Sequence, residues 1–85
     1  MHSSHLKRRS QTAANLMWEV QKLVSTDDWL NTPERAFTLL RRLDEELREL
    51  RRDVVDELHA DGATWDEIGV AMGTSRQYAW QTYSH

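Results

Sequence analysis

Residues 62–81 read GATWDEIGVAMGTSRQYAWQ, and nearly every position in this stretch carries a local structural meaning. Gly62 suits the left-handed conformation that closes a preceding helix. Thr64 suits a helix N-cap, and Glu67, three residues on, reaches back to the cap's own N–H to complete a capping box. The box opens a short helix over about 65–72, which Gly73 stops. Ser75 then caps a second short helix over about 76–83. Where two such helices cross, a bulky side chain would wedge them apart, and Gly69 stands there beside Ile68. Ile68 and Met72 face inward from the first helix, and Ala79 is the small inward residue of the second.

Upstream the spacing predicts two longer helices. Ala13, Leu16, Met17, Val20, Leu23 and Val24 line one face of a helix over about 11–25, with Ser10 or Thr12 as its cap. STDDWLNTP (25–33) breaks the pattern, after which Thr32 caps and Pro33 fills the first turn of a long helix reaching about Ala60. Ala36, Leu40, Leu43, Leu47, Leu50 and Val54 then step by four and three in alternation, a heptad seam. Phe37, Leu39, Val55 and Leu58 lie outside that stripe, so the long helix faces more than one neighbour. One neighbour is the first helix. That helix is too short to cover the long one, which points to a homodimer through Leu40, Leu43, Leu47, Leu50 and Val54. The opposite face, rich in Arg and Glu, reads as solvated, with pairs such as Asp44 and Arg48 each adding only about 0.2–0.5 kcal/mol.

A chain of 85 residues makes one small domain and buries a modest fraction of its surface, a further reason to expect dimerisation. With no cysteine there is no disulfide framework and no thiolate chemistry, which fits a reducing compartment. No apolar run approaches the length that crosses a bilayer, and the first residues lack the apolar core of a signal peptide. The expectation is a soluble cytoplasmic protein without a membrane partner. Enzymatic readings find no footing: His2, His5, His59 and His85 show no metal spacing, and the carboxylates follow a helix surface. No phosphate-binding loop or nucleophile motif occurs, so no catalytic residue, metal or cofactor is expected.

The net charge of -3 is unevenly spread. Lys7, Arg8 and Arg9 give the first ten residues +3, whereas each later segment is acidic. From residue 62 onward Arg76 stands alone against Asp66 and Glu67.

The segment 62–81 resembles the helix-turn-helix of small bacterial DNA-binding proteins of actinobacterial or phage type, and more distantly the promoter-reading end domain of sigma factors. The likeness covers about 62–83, with Arg51 to His59 as the first helix of a three-helix unit. It does not cover the first helix; joined to the upstream spacing and charge, it gives the expected all-α fold: a helical hairpin (11–61, also the dimerisation region) whose long second helix leads into a C-terminal helix-turn-helix (62–85), after a flexible basic arm (1–10). It further implies that the last helix lies in the major groove of double-stranded DNA with Arg76, Gln77 and Gln81 facing bases, and that Ser75 caps the helix and touches a phosphate. Arginine forks onto guanine and glutamine pairs with adenine, in keeping with those assignments. Relatives place a small and then a basic residue where this chain has Tyr78 and Thr82. Tyr78 reads equally as a DNA contact and as a packing residue, and Trp80 as cover for the core or a dimer contact. Trp18, Trp29 and Trp65 read as packing residues.

Electrostatic grip would come from Lys7, Arg8 and Arg9 as an arm on the minor groove or phosphates, although the same residues read as a solubilising tail. Arg48, Arg51 and Arg52 could add phosphate contacts. The function expected is a sequence-specific transcriptional regulator. The rival is a protein–protein adaptor or antitoxin-like protein whose helical region holds a partner protein, a reading suggested by the acidic balance and by Tyr78 and Trp80.

Overall fold

The structure, a computed structural model, describes residues 4–84, and its regular elements are all helical. Helix α1 spans Ser4–Ser25, α2 Pro33–Ala60, α3 Trp65–Met72 and α4 Arg76–Tyr83, with a 3-10 turn at Asp28–Leu30 between α1 and α2. Residues 1–3 of the expected arm, with His2, and His85 lie outside the described residues. No helix among the described residues is long and apolar enough to cross a membrane. The chain divides into two compact units, Met1–Leu50 and Arg51–His85, and the boundary falls inside α2.

In the first unit the basic stretch is helical where a flexible arm was expected. Helix α1 begins at Ser4, so Lys7, Arg8 and Arg9 lie on it, and Ser10 and Thr12 are internal to it. Their hydroxyls donate back to the carbonyls of Lys7 (2.8 Å) and Arg8 (3.2 Å) instead of capping a helix start. Nothing between His5 and Ala14 breaks a helix, and Leu6, half-buried, extends the apolar face of Ala13 by two turns. Arg9 also gains a partner on a distant part of the chain: its Nη1 donates to Glu46 Oε1 at 3.0 Å, with both side chains partly buried.

A second ion pair joins Arg35 Nη2 to Glu19 Oε1 at 3.2 Å. Arg9 near the start of α1 meets α2 far along, and Glu19 near its end meets α2 at the first turn, so the two helices run antiparallel. Ala13 and Leu16 from α1 and Leu39 from α2 are buried, with Val20, Leu23, Ala36 and Leu43 half-buried. Trp18 is 60% exposed, contrary to the packing role expected of it. At about 100° per residue it projects some 200° from Leu16, away from the buried face, and Lys22 Nζ sits 4.4 Å over its ring. Trp29 likewise stays exposed, held on the 3-10 turn. The turn is entered through Asp27, whose φ of 60° is left-handed. The Thr32 hydroxyl, expected to cap α2, donates back to the Asp28 carbonyl at 3.0 Å, and its carbonyl accepts from the Ala36 N–H.

The heptad seam of α2 is divided. Leu39 and Val55, which lay outside the expected stripe, are the buried residues, each in its own unit. Leu43 and Leu50, expected in a dimer interface, are half-buried within the chain because that flank of α2 follows Leu39. Leu40, Leu47 and Val54 remain 44%, 42% and 42% exposed.

The second unit is built around Val55, Ile68, Ala79 and Tyr83, with Ala63, Trp65 and Met72 packed against them. Helix α2 ends where Gly62 takes a φ of 101° and the N–H groups of Ala63 and Gly62 donate to the carbonyls of Leu58 (2.9 Å) and His59 (3.1 Å), a paired closure that satisfies two helix-end carbonyls. His59, in that last turn, stacks on Trp65 with centroids 4.5 Å apart, so the packing role expected for Trp65 is observed.

Candidate nucleic-acid interface

The placement of α4 follows from bonds to backbone. At the start of α3 the Glu67 N–H donates to Thr64 Oγ1 at 3.1 Å and the Thr64 N–H donates to Glu67 Oε1 at 2.8 Å, closing the capping box. At its end Gly73 adopts a φ of 75°, and the N–H groups of Thr74 and Gly73 donate to the carbonyls of Gly69 (2.8 Å) and Val70 (3.1 Å). Only Ser75 and extended backbone separate this closure from α4. The Ser75 hydroxyl accepts from the Tyr78 N–H at 3.0 Å, giving the second helix its cap.

Gly69 is where the two helices come closest. A Cβ there would lie 2.9 Å from the Ser75 carbonyl oxygen and 3.0 Å from the Arg76 nitrogen, both backbone atoms. Only glycine fits, because the neighbour is main chain with no rotamer to change. From the other side Ala79, fully buried, lets α4 settle on Ile68 and Val55. Tyr83 closes the far end of α4, buried, with the Arg52 guanidinium 5.4 Å from its ring centroid.

With Ala79 and Tyr83 inward, the outward direction of α4 is taken by Gln77 and Gln81, which lie one turn apart on the same line. Tyr78 and Trp80 flank them on opposite sides, each 51% exposed. Arg76 occupies the first position of the helix, exposed, about 100° around from Gln77. The arrangement thus brings Ser75, Arg76, Gln77, Tyr78 and Gln81 onto one short, capped helix. Trp80, half-exposed, is not among the residues packed on Val55, Ile68, Ala79 and Tyr83. Thr82 is half-buried.

The electrostatics of this surface differ from those of the unit that carries it. Residues 51–85 hold three arginines against six carboxylates, yet from Gly73 to Ser84 there is one arginine and no acid. Asp66 and Glu67 belong to the first turn of α3, where negative charge favours the helix N-terminus, and the others lie between Asp53 and Asp61. Lys7, Arg8 and Arg9 belong to the first unit, and Arg9 is engaged with Glu46. Arg48 and Arg51 are exposed on α2, whereas Arg52 is drawn to Tyr83.

Sequence reasoning did not find Val55 and Tyr83 as core residues of this unit. The signal for Tyr83 was its four-residue spacing from Ala79, which puts both on one helical face. Comparison with protein-family models, with curated proteins and with solved structures gives no match to this chain.

Proposed function

We propose that the chain is a sequence-specific DNA-binding transcriptional regulator of the cytoplasm, acting as a homodimer, with α4 as the helix that enters the major groove. The observation that carries this reading is the pinning of α4 by the Gly69–Ser75 approach with Gln77 and Gln81 outward, Arg76 exposed at the first position of the helix and no acid among the residues that follow Gly73. Arg76 forks onto the O6 and N7 of guanine, and Gln77 and Gln81 pair with N6 and N7 of adenine. Ser75 and Tyr78 approach phosphate or sugar and set the helix in register. Lys7 and Arg8 supply positive charge, doubled in the dimer, and the dimer reads two half-sites about 34–36 Å apart or a multiple of that spacing.

Binding selection on random double-stranded DNA tests the reading, followed by titration of the enriched site. Arg76→Ala weakens binding to that site by roughly 1–3 kcal/mol. Failure to enrich any sequence, or equal affinity of the variant, sinks the assignment of α4.

The acidic balance of residues 51–85 and the half-exposed Tyr78 and Trp80 favour a second reading, a protein–protein adaptor or antitoxin-like protein. Co-purification of a stoichiometric protein partner with no DNA retained at low salt would support it over the first.

A further inference from the structure

Within the unit Met1–Leu50, the buried side chains of the antiparallel α1–α2 pair among the described residues are Ala13, Leu16 and Leu39, and the two open sides of the pair differ in chemistry. The inward line runs through 13, 16, 20 and 23 on α1 and through 36, 39, 43 and 46 on α2. Each position just before these, 12, 15, 19 and 22 on α1 and 35, 38, 42 and 45 on α2, is polar or charged. The positions just after them include Met17 and Val24 on α1 and Phe37, Leu40 and Leu47 on α2, all of them 42% exposed or more. A following residue lies about 100° further round its helix. In antiparallel helices the sense of rotation reverses with direction, so both following flanks fall on one side of the pair. Glu19 and Arg35, each on a preceding flank, bridge on the other side. On α2 the apolar side holds a groove of about 380 Å³ lined by Phe37, Leu40, Arg41, Leu43, Asp44 and Leu47.

We infer that a second copy of this chain covers the apolar side, helix pair on helix pair, in a four-helix bundle whose two-fold axis runs along the helices and lays α1 of each subunit on α2 of the other. The inference rests on reading the chain as a homodimer and is independent of DNA binding. Its first ground is register. Arg9 faces Glu46 and Glu19 faces Arg35, so Met17 stands level with Phe37, Ala14 with Leu40 and Lys7 with Leu47. An axis along the helices exchanges α1 and α2 and keeps those levels. Phe37 then meets the partner's Met17, Leu40 meets the partner's Ala14, and Leu47 meets the methylene stem of the partner's Lys7, whose ammonium stays in water.

Charge selects the same axis. Lys7, Arg8 and Arg9 stand level with 44–49 on α2, where Asp44, Glu45, Glu46 and Glu49 outnumber Arg48. Laying α1 on the α2 of the partner brings the basic stretch to the acidic one across the interface, as Arg9 and Glu46 already meet within one chain. An axis across the helices would lay α2 on α2. Centred to match Phe37 with the partner's Leu47, it sets Leu40 on the partner's Asp44 and Met17 on the partner's Lys7.

Sedimentation equilibrium on the full chain gives the first test. The wild type has twice the 10.0-kDa chain mass. Leu40→Asp, on the apolar side, raises the dimer dissociation constant about tenfold or more, whereas Thr38→Asp, exposed on the polar side, leaves it unchanged. Because the chain has no cysteine, a second test reads the axis with substitutions that carry no charge. Ala14→Cys mixed with Leu40→Cys forms a disulfide-linked dimer on oxidation, and neither variant does so alone. Met17→Cys mixed with Phe37→Cys behaves in the same way. A wild type that is monomeric at all concentrations overturns both the homodimer and this geometry. A dimer indifferent to Leu40→Asp, or one that links two α2 positions, Phe37→Cys with Leu40→Cys or with Leu47→Cys, overturns the geometry and leaves the homodimer standing.

Discussion

A side chain on Gly69 would come within 2.9 Å of the carbonyl oxygen of Ser75, so the two short helices are separated by no more than a hydrogen atom at their crossing. Gly69→Ala gains up to about 1 kcal/mol of helix propensity and forces the main chain apart, an overpacking effect of about 1–3 kcal/mol. The expected sum is a lower thermal midpoint, measured by circular dichroism. Gly73→Ala meets no atom and loses about 1 kcal/mol to its left-handed backbone. A Gly69→Ala protein as stable as the wild type would show that the crossing is looser than described.

Removing the cap of α4 tests whether its start is held locally. Ser75→Ala leaves the Tyr78 N–H without its side-chain partner and lowers stability by about 0.5–2 kcal/mol. Thr64→Ala, which opens the box at α3, has a loss of similar size. Urea unfolding monitored by tryptophan fluorescence gives both values, and a shift in midpoint without a change in slope is the expected form.

Ile68 is 1% exposed at the centre of the second unit. Ile68→Val lowers stability by about 0.5–1.5 kcal/mol and Ile68→Ala by about 2–5 kcal/mol. Val70, about 200° around the helix from Ile68 and 74% exposed, tolerates alanine within about 0.5 kcal/mol. The contrast between neighbours reads the inward face directly.

Helical order in the basic stretch is visible by NMR. Secondary chemical shifts of Lys7 to Ser10 are expected on the helical side, and Glu46→Ala, which removes one partner of Arg9, 37 residues away, reduces them selectively at that end of α1. Random-coil shifts at Lys7 to Ser10 would contradict the structure there.

Under the DNA-binding reading, the two kinds of charge separate by their salt response. Arg76→Lys loses the planar fork and weakens the preferred site more than random DNA. Lys7→Ala weakens both alike and lowers the slope of log affinity against log salt by about 1 for each phosphate contact removed.

How much of this was legible in sequence depended on how local each cause is. Thr64, Glu67, Gly69, Gly73 and Ser75 answer to neighbours within a few residues, and each does what its chemistry predicts. The start of α1 was not legible, since helix at Arg9 is reinforced by Glu46 from another part of the chain. The seam of α2 was legible as apolar and not as a direction. Leu39 and Leu40 are both leucine, and only the side taken by α1 makes the first buried and the second exposed. Trp18 and Trp29 were misjudged for a related reason: size and hydrophobicity argue for burial, but helix phase and a 3-10 turn turn them outward.

An eight-residue helix has almost no stability of its own in water, and α4 stands because glycine packing fixes one end and Tyr83 the other. Whatever meets Gln77, Gln81 and their aromatic flanks therefore meets a surface already ordered. Under the DNA-binding reading, recognition by α4 is lock-like: the free energy of contact goes into discriminating between sites, with little diverted to freezing the reader.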